Sequence, residues 1–248
     1  MTAIRAFTFT PEQGVPPGVA PFSHATATGG RLRGTTGTGS GTAGGIARGG
    51  HLAQKTFHRA ARGGRVEVAA VSRLSATDTG IAAETADGRR LTAAQAVLAA
   101  GAHSHRLART LGERIPLETE RGYNTTLPPD ALDLRTQVTF GGHGFVVTRL
   151  STGIRVGGAV ELGGLSLPPN WRRAQAMLAK AKAFLPALRT EGGTQWMGFR
   201  PSLPDSLPAI GRARATPRVT YAFGHGHLGI TQSAGTARLV ADLLTGRT

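Results

Sequence analysis

A chain of 248 residues, 40% of them hydrophobic, has ample material for a buried core, and its lack of cysteine excludes a disulfide framework, a thiolate metal site and a cysteine nucleophile. The net charge of +15 is nearly all arginine, with Lys55, Lys180 and Lys182 the only lysines; the arginines are scattered and aromatic residues reach only 5%, which speaks against nucleic acid as a partner. No apolar run approaches the roughly 18 residues of a membrane-spanning helix, and residues 1–10 have no apolar signal-peptide core, so a cytoplasmic protein is expected, with attachment to a membrane surface left open.

The first 50 residues differ from the rest. The stretch 30–50 is almost wholly Gly, Thr, Ala, Ser and Arg, a composition that buries too little apolar surface to offset the entropy of ordering it, and disorder is expected there. From His51 patterning returns. Residues 51–62 read as a short helix, 65–74 as a strand and 80–85 as a second strand. Asp87-Gly88 then makes a hairpin turn into residues 90–92. Residues 96–100 form a short buried strand that ends on Gly101. Three alternating segments at 136–140, 144–149 and 154–161, separated by Gly141-Gly142 and Thr152-Gly153, suggest an antiparallel sheet. Residues 171–188 carry Ala174, Met177, Leu178, Ala181 and Leu185 at helical spacing, with Pro186 near the end.

The run from Tyr221 to Thr231 is the most informative. An apolar strand enters a turn rich in glycine (Gly224, Gly226, Gly229) and leaves through Thr231, read as an N-cap, into an amphipathic helix over 232–244. Such a junction points unpaired N–H groups outward and suits an anion or an electron-rich heterocycle; a plain strand-to-helix turn is the alternative. The pairs His103/His105 and His225/His227 invite a metal reading, but no acidic residue lies near either in sequence, and no metal is expected. Gly39-Ser-Gly-Thr-Ala-Gly44 matches a dinucleotide fingerprint literally, yet no hydrophobic strand precedes it, and it reads as a chance match. No paired carboxylates and no Ser-His-Asp set stand out, so no catalytic side chain is singled out. Arg200, in Gly-Phe-Arg-Pro, presents a planar fork able to hold a carboxylate through two hydrogen bonds; a surface arginine on a proline-rich loop is the alternative.

Four segments, in order, carry a resemblance: Leu98-Ala-Ala-Gly-Ala-His-Ser-His-Arg-Leu107, Pro116-Leu-Glu-Thr-Glu-Arg-Gly-Tyr123, the stretch Trp196 to Gly211, and Tyr221 to Thr231. Over residues 51–248 the chain resembles the C-terminal part of FAD-dependent amino-acid dehydrogenases and oxidases, above all the D-amino-acid dehydrogenase small subunit. The resemblance implies a mixed α/β (α+β) fold, with a discontinuous FAD-binding domain in parts 51–110 and 201–248. An antiparallel-sheet substrate domain, 111–200, is inserted between them. The N-terminal Rossmann portion is expected to be missing, or to come from another chain. FAD is the implied cofactor, held by the backbone at Val71, by Ala100 and Gly101, and by Gly226, His227, Leu228, Gly229, Ile230 and Thr231. Arg200 would grip the carboxylate of a small amino-acid substrate, with Arg121 and Tyr123, matching family positions at the edge of the substrate domain, as further substrate-binding residues. The implied reaction passes hydride from the substrate Cα to flavin N5 and yields a 2-oxo acid and ammonia, with the redox chemistry supplied by the cofactor. An inactive, truncated flavoprotein remnant or partner subunit is the second expectation, and a basic nucleic-acid module the third. The electron acceptor is not legible.

Overall fold

The computed structural model describes residues 69–247. The expected helix over 51–62, the opening of the strand expected at 65–74, the Gly39–Gly44 pattern and the expected disorder and missing Rossmann portion fall outside them. The described residues form two compact units, 69–118 with 201–247, and 119–200. Divisions had been expected at 110/111 and 200/201. The fold is mixed α/β, and among the described residues no helix is long and apolar enough to cross a membrane.

The discontinuous unit holds two small sheets. Strands β1 (Val71–Ala76), β2 (Ile81–Thr85) and β3 (Arg90–Ala93) form an antiparallel meander in that order. Its second turn is Asp87-Gly88: Gly88 takes φ 83°, and Asp87 accepts from both Thr85 and Arg89. Strand β4 (Ala96–Leu98) lies parallel to β11 (Val219–Phe223), and β10 (Ala209–Arg212) lies antiparallel to β11 on its other side. Every residue of β11 is buried, as befits a central strand covered on both faces. Past β4 a 3₁₀ turn (Gly101–His103) leads into helix α1 (Ser104–Thr110). Thr110 ties that helix to β1, its Oγ1 accepting from Leu74 N and donating to Leu74 O. Val71, Leu74, Ile81, Leu98, Leu107, Val219, Tyr221 and Phe223 pack into one core.

The second unit is a five-stranded sheet in the order β6-β7-β8-β5-β9: β6 (Val138–Phe140), β7 (Phe145–Leu150), β8 (Gly153–Leu162), β5 (Glu118–Leu127) and β9 (Thr194–Ser202). Helix α2 (Arg172–Phe184) lies against β8 and β7 and closes a core of Leu127, Leu134, Phe145, Val147, Ile154, Val156, Ala181 and Leu188. The helix stops short of the expected residue 188. Leu185, immediately before Pro186, is forced out of the helical region to φ −127°, and Lys182 Nζ donates to the carbonyls of Pro186 and Leu188. Helix α3 (Ser233–Thr245), in the first unit, packs on β10 and β11 and ends at Gly246, φ 68°.

Candidate functional site

Strand β5 organises the first candidate surface. Its residues alternate cleanly: Thr119, Arg121, Tyr123, Thr125 and Leu127 are buried, while Glu120, Asn124 and Thr126 are half-buried on the other face with Gly122. The first set faces the core. Arg121 is 0% exposed, and its Nε, Nη1 and Nη2 donate to the carbonyls of Gly164, Pro168 and Leu167 at 2.8, 3.0 and 2.7 Å. Glu161 lies 3.6 Å from the same guanidinium. Tyr123 is also buried; its hydroxyl donates to Glu161 Oε2 at 2.5 Å and accepts from Asn170 N at 3.0 Å. The hydrogen bond from Tyr123, with Arg173 and Arg121 nearby, holds the Glu161 carboxyl below its ordinary pKa. Both Arg121 and Tyr123 were expected at the substrate. The structure instead commits each of them to the segment 161–170: every nitrogen of the Arg121 guanidinium bonds a backbone carbonyl, and the group is fully enclosed, so its remaining N–H groups are not open to a ligand.

Arg200, on neighbouring strand β9, lies on the other face. Its guanidinium rests directly over Gly122: a Cβ built there would sit 2.3 Å from Arg200 Cζ. Only glycine leaves that space clear. Nη1 stands 3.7 Å from Glu120 Oε1, an ion pair too long for a hydrogen bond, and is buried without an acceptor among the described residues. Burial lowers the Arg200 pKa from its ordinary value, an effect that Glu120 partly offsets. A buried cationic donor that makes no hydrogen bond of its own is chemically able to donate one to an anion. Trp196 and Gly198 share this face by the same alternation, with the indole of Trp196 lying over Gly198.

The second surface is the turn between β11 and α3. Gly224 takes φ 89°, and a Cβ there would meet Leu203 Cδ1 at 2.6 Å, so only glycine fits. Gly226 takes φ 52° and donates its N–H to Pro201 O at 2.8 Å, while His225 pairs with Ser202 in an antiparallel bridge. These bonds join the two motifs that sequence alone could only place in order. The expected N-cap is corrected: Gln232, not Thr231, stands at the cap, without a capping side-chain bond. The backbone closes the turn instead, Gln232 N donating to Leu228 O and Ser233 N to Ile230 O, which starts the helix at Ser233 and leaves Thr231 exposed.

Among the described residues the N–H groups of Gly229, Ile230 and Thr231 find no acceptor, and Gln232 Oε1 is buried without a partner. Leu228 and Ile230 are about half exposed on either side of Gly229, at 50% and 47%. Apolar side chains flanking free donors suit a flat heterocycle that carries polar edges. In the same unit Gly101 takes φ 56° with open space where a Cβ would be, beside Ala100. Val71 opens β1 at an edge of its sheet, its side chain buried in the core. The histidine pairs divide. His225 is buried with Nε2 2.9 Å from Thr236 Oγ1, and His227 is exposed. His103 and His105 both have pKa values lowered chiefly by burial, and no metal-binding cluster forms among the described residues. Asn124, half-buried on the Arg200 face of β5, was not singled out from the sequence; its place two residues after Gly122 becomes visible only once β5 is known to be a strand.

Comparison with known proteins places these surfaces in context. A family model described as DAO, FAD dependent oxidoreductase, matches residues 26–243, beginning ahead of residue 51 where the sequence resemblance starts. The D-amino-acid oxidase of Bradyrhizobium diazoefficiens is 37% identical over 206 residues, covering 80% of this chain and 48% of that protein. The D-amino acid dehydrogenase of Paramagnetospirillum magneticum is 39% identical over 172 residues, covering 66% of this chain and 39% of that protein. Among solved structures, glycine oxidase from Geobacillus kaustophilus superposes with a TM-score of 0.61 at 25% identity, covering 71% of this chain and 48% of that one. The chain spans less than half the length of each of these relatives.

Proposed function

We infer the function of this chain from its family: it belongs to the DAO family of FAD dependent oxidoreductases, and we propose that it serves oxidative deamination of an amino acid in the manner of a D-amino-acid dehydrogenase. FAD, when bound, supplies the two-electron acceptor for the amine carbon. The substrate leaves as an imine that water hydrolyses to a 2-oxo acid and ammonia.

The residues divide the remaining work. Gly226 and Gly229 let a planar ring approach the backbone, and the donors of Gly229, Ile230 and Thr231, at the positive end of α3, favour a ligand that carries negative charge. Ala100, Gly101 and the backbone at Val71 are the other cofactor contacts proposed. Arg200 holds the substrate carboxylate, and Gly122 keeps the place of its guanidinium clear. The observation that carries the reading is the buried, unbonded Nη1 of Arg200.

The test is to purify the full chain, load it with FAD and assay 2-oxo acid and ammonia from D-amino acids with a dye as electron acceptor. Turnover of amino acids, and poor turnover of amines that lack a carboxylate, is the expected result. A chain that retains FAD but turns nothing over would favour the inactive remnant or partner subunit. Failure to retain FAD would overturn the assignment of residues 226–231.

A further inference from the structure

Beside the unmade donor of Arg200 lies an unmade acceptor. Asn124 follows Gly122 by two residues on β5, and its carboxamide Oδ1 is buried without a hydrogen-bond partner among the described residues. The register irregularity at this point does not disturb the alternation of β5. Tyr123 pairs with Ala159 and Asn124 with Gly157, so the extra residue is Gly158 on β8, at φ 145°. Glu120, Gly122 and Asn124 therefore share the face on which the guanidinium of Arg200 lies. The space next to Asn124 is also kept small-walled: its cross-strand neighbour is Gly157, where a Cβ would stand 3.3 Å from Asn124 Cβ.

A buried acceptor without a donor and a buried cationic donor without an acceptor are each costly alone. Both are satisfied at once by a ligand with an anionic end and an N–H end. Gly122, beneath the guanidinium, and Asn124 are two residues apart on one face of β5, an advance of roughly 6.6 Å along the strand, close enough for one small ligand to reach both. The carboxylate of Glu120 is already paired with Arg200. We propose that Asn124 Oδ1 accepts an N–H from the amine of the ligand whose carboxylate Arg200 holds, so that this face reads an amino acid at both ends. The proposal rests on the carboxylate role of Arg200.

The experiment is calorimetric titration of the full chain, unmodified and as Asn124→Leu, with D-alanine and with propionate, which has the same carbon chain and no amine. The unmodified chain should prefer D-alanine. In Asn124→Leu the affinity for D-alanine should fall about tenfold or more while that for propionate changes less than about twofold, as expected for loss of a hydrogen bond to one end of the ligand. Asn124→Ala carries the same expectation should the leucine variant not fold, and Asn124→Asp, which keeps an acceptor oxygen in place, should keep the preference for D-alanine. Equal losses for the two ligands in Asn124→Leu would make Asn124 a structural residue and overturn the proposal. So would a chain that binds propionate as tightly as D-alanine, which leaves Arg200 untouched. A chain that binds neither would overturn the carboxylate role of Arg200 together with this inference.

Discussion

Arg121 and Arg200 occupy neighbouring strands of one sheet and opposite faces of it. On the core face, Arg121 is fully enclosed and bonded through all three nitrogens to backbone carbonyls of 164–168, with Glu161 beside it. On the other face, Arg200 is partly exposed, lies over a glycine, and keeps a buried nitrogen without an acceptor among the described residues. The same side chain thus serves as a scaffold in one place, and in the other it is the one proposed to hold a ligand. Enclosure separates the two, and so does bonding: each nitrogen of Arg121 has a carbonyl partner, while Nη1 of Arg200 has none among the described residues.

The largest expected effect breaks the scaffold side. Arg121→Met should destabilise the chain by about 3–5 kcal/mol, because it leaves the three carbonyls that face the guanidinium without donors. Urea denaturation followed by circular dichroism measures this, and a variant as stable as the original would remove Arg121 from the scaffold.

On the ligand side, Arg200→Lys should leave denaturation nearly unchanged and cut the specificity constant for amino acids by roughly ten- to a hundredfold, about 1.5–3 kcal/mol, since a point charge cannot reproduce the fork. Plain amines should be indifferent to it. Equal losses on both substrate classes would place Arg200 with Arg121.

Gly122→Ala tests the boundary between the faces. The new methyl would occupy the place of the Arg200 guanidinium, the far end of a flexible side chain, so the fold should survive while the ligand loses its fork. A rise in KM of about tenfold, with stability within about 1 kcal/mol, is expected. Unaltered KM would show that the guanidinium need not lie over residue 122.

Gly229→Ala makes a parallel test on the turn. A Cβ there would stand 3.6 Å from His225 Cβ, an ordinary contact, so the protein itself tolerates it. Weakened flavin retention, read from absorbance after gel filtration, would therefore report the ligand and not the fold. Undiminished retention would make the turn purely structural.

The smallest effect concerns pH. The carboxyl of Glu161 has its pKa lowered in the folded chain by Tyr123 and by Arg173 and Arg121, so it stabilises the fold above its ordinary pKa of 4.5 and loses that contribution as pH falls through the lowered value. Glu161→Gln should flatten the loss of stability on acidification below that range, measured by thermal melts across pH. An unchanged pH profile would deny Glu161 a part in the core-face network.

Local pattern sufficed for much of this molecule. The hairpin around Asp87-Gly88, the strands β7 and β8, helix α2 and the strand-turn-helix from Val219 to Thr245 each follow from short-range alternation, helical spacing or glycine placement, and these act within a few residues. The family motifs were legible for the same reason. Strands β5 and β9 were not read as strands. The buried face of β5 is Thr119, Arg121, Tyr123 and Thr125, which carries no apolar alternation, and β9 contains Pro201, which argues against a strand. Helix α1 is seven residues long and left no period to detect. The N-cap shifted from Thr231 to Gln232 because backbone bonds among residues 228–233 closed the turn before any side chain could. By itself the sequence determined the identity of the chemical groups, an arginine fork and a glycine turn opening a helix. Which donors are spent and which stay unmade was decided only by tertiary structure, because hydrogen-bond partners such as Gly164 for Arg121, and neighbours such as Gly122 for Arg200, lie far apart along the chain and meet only when the strands pair.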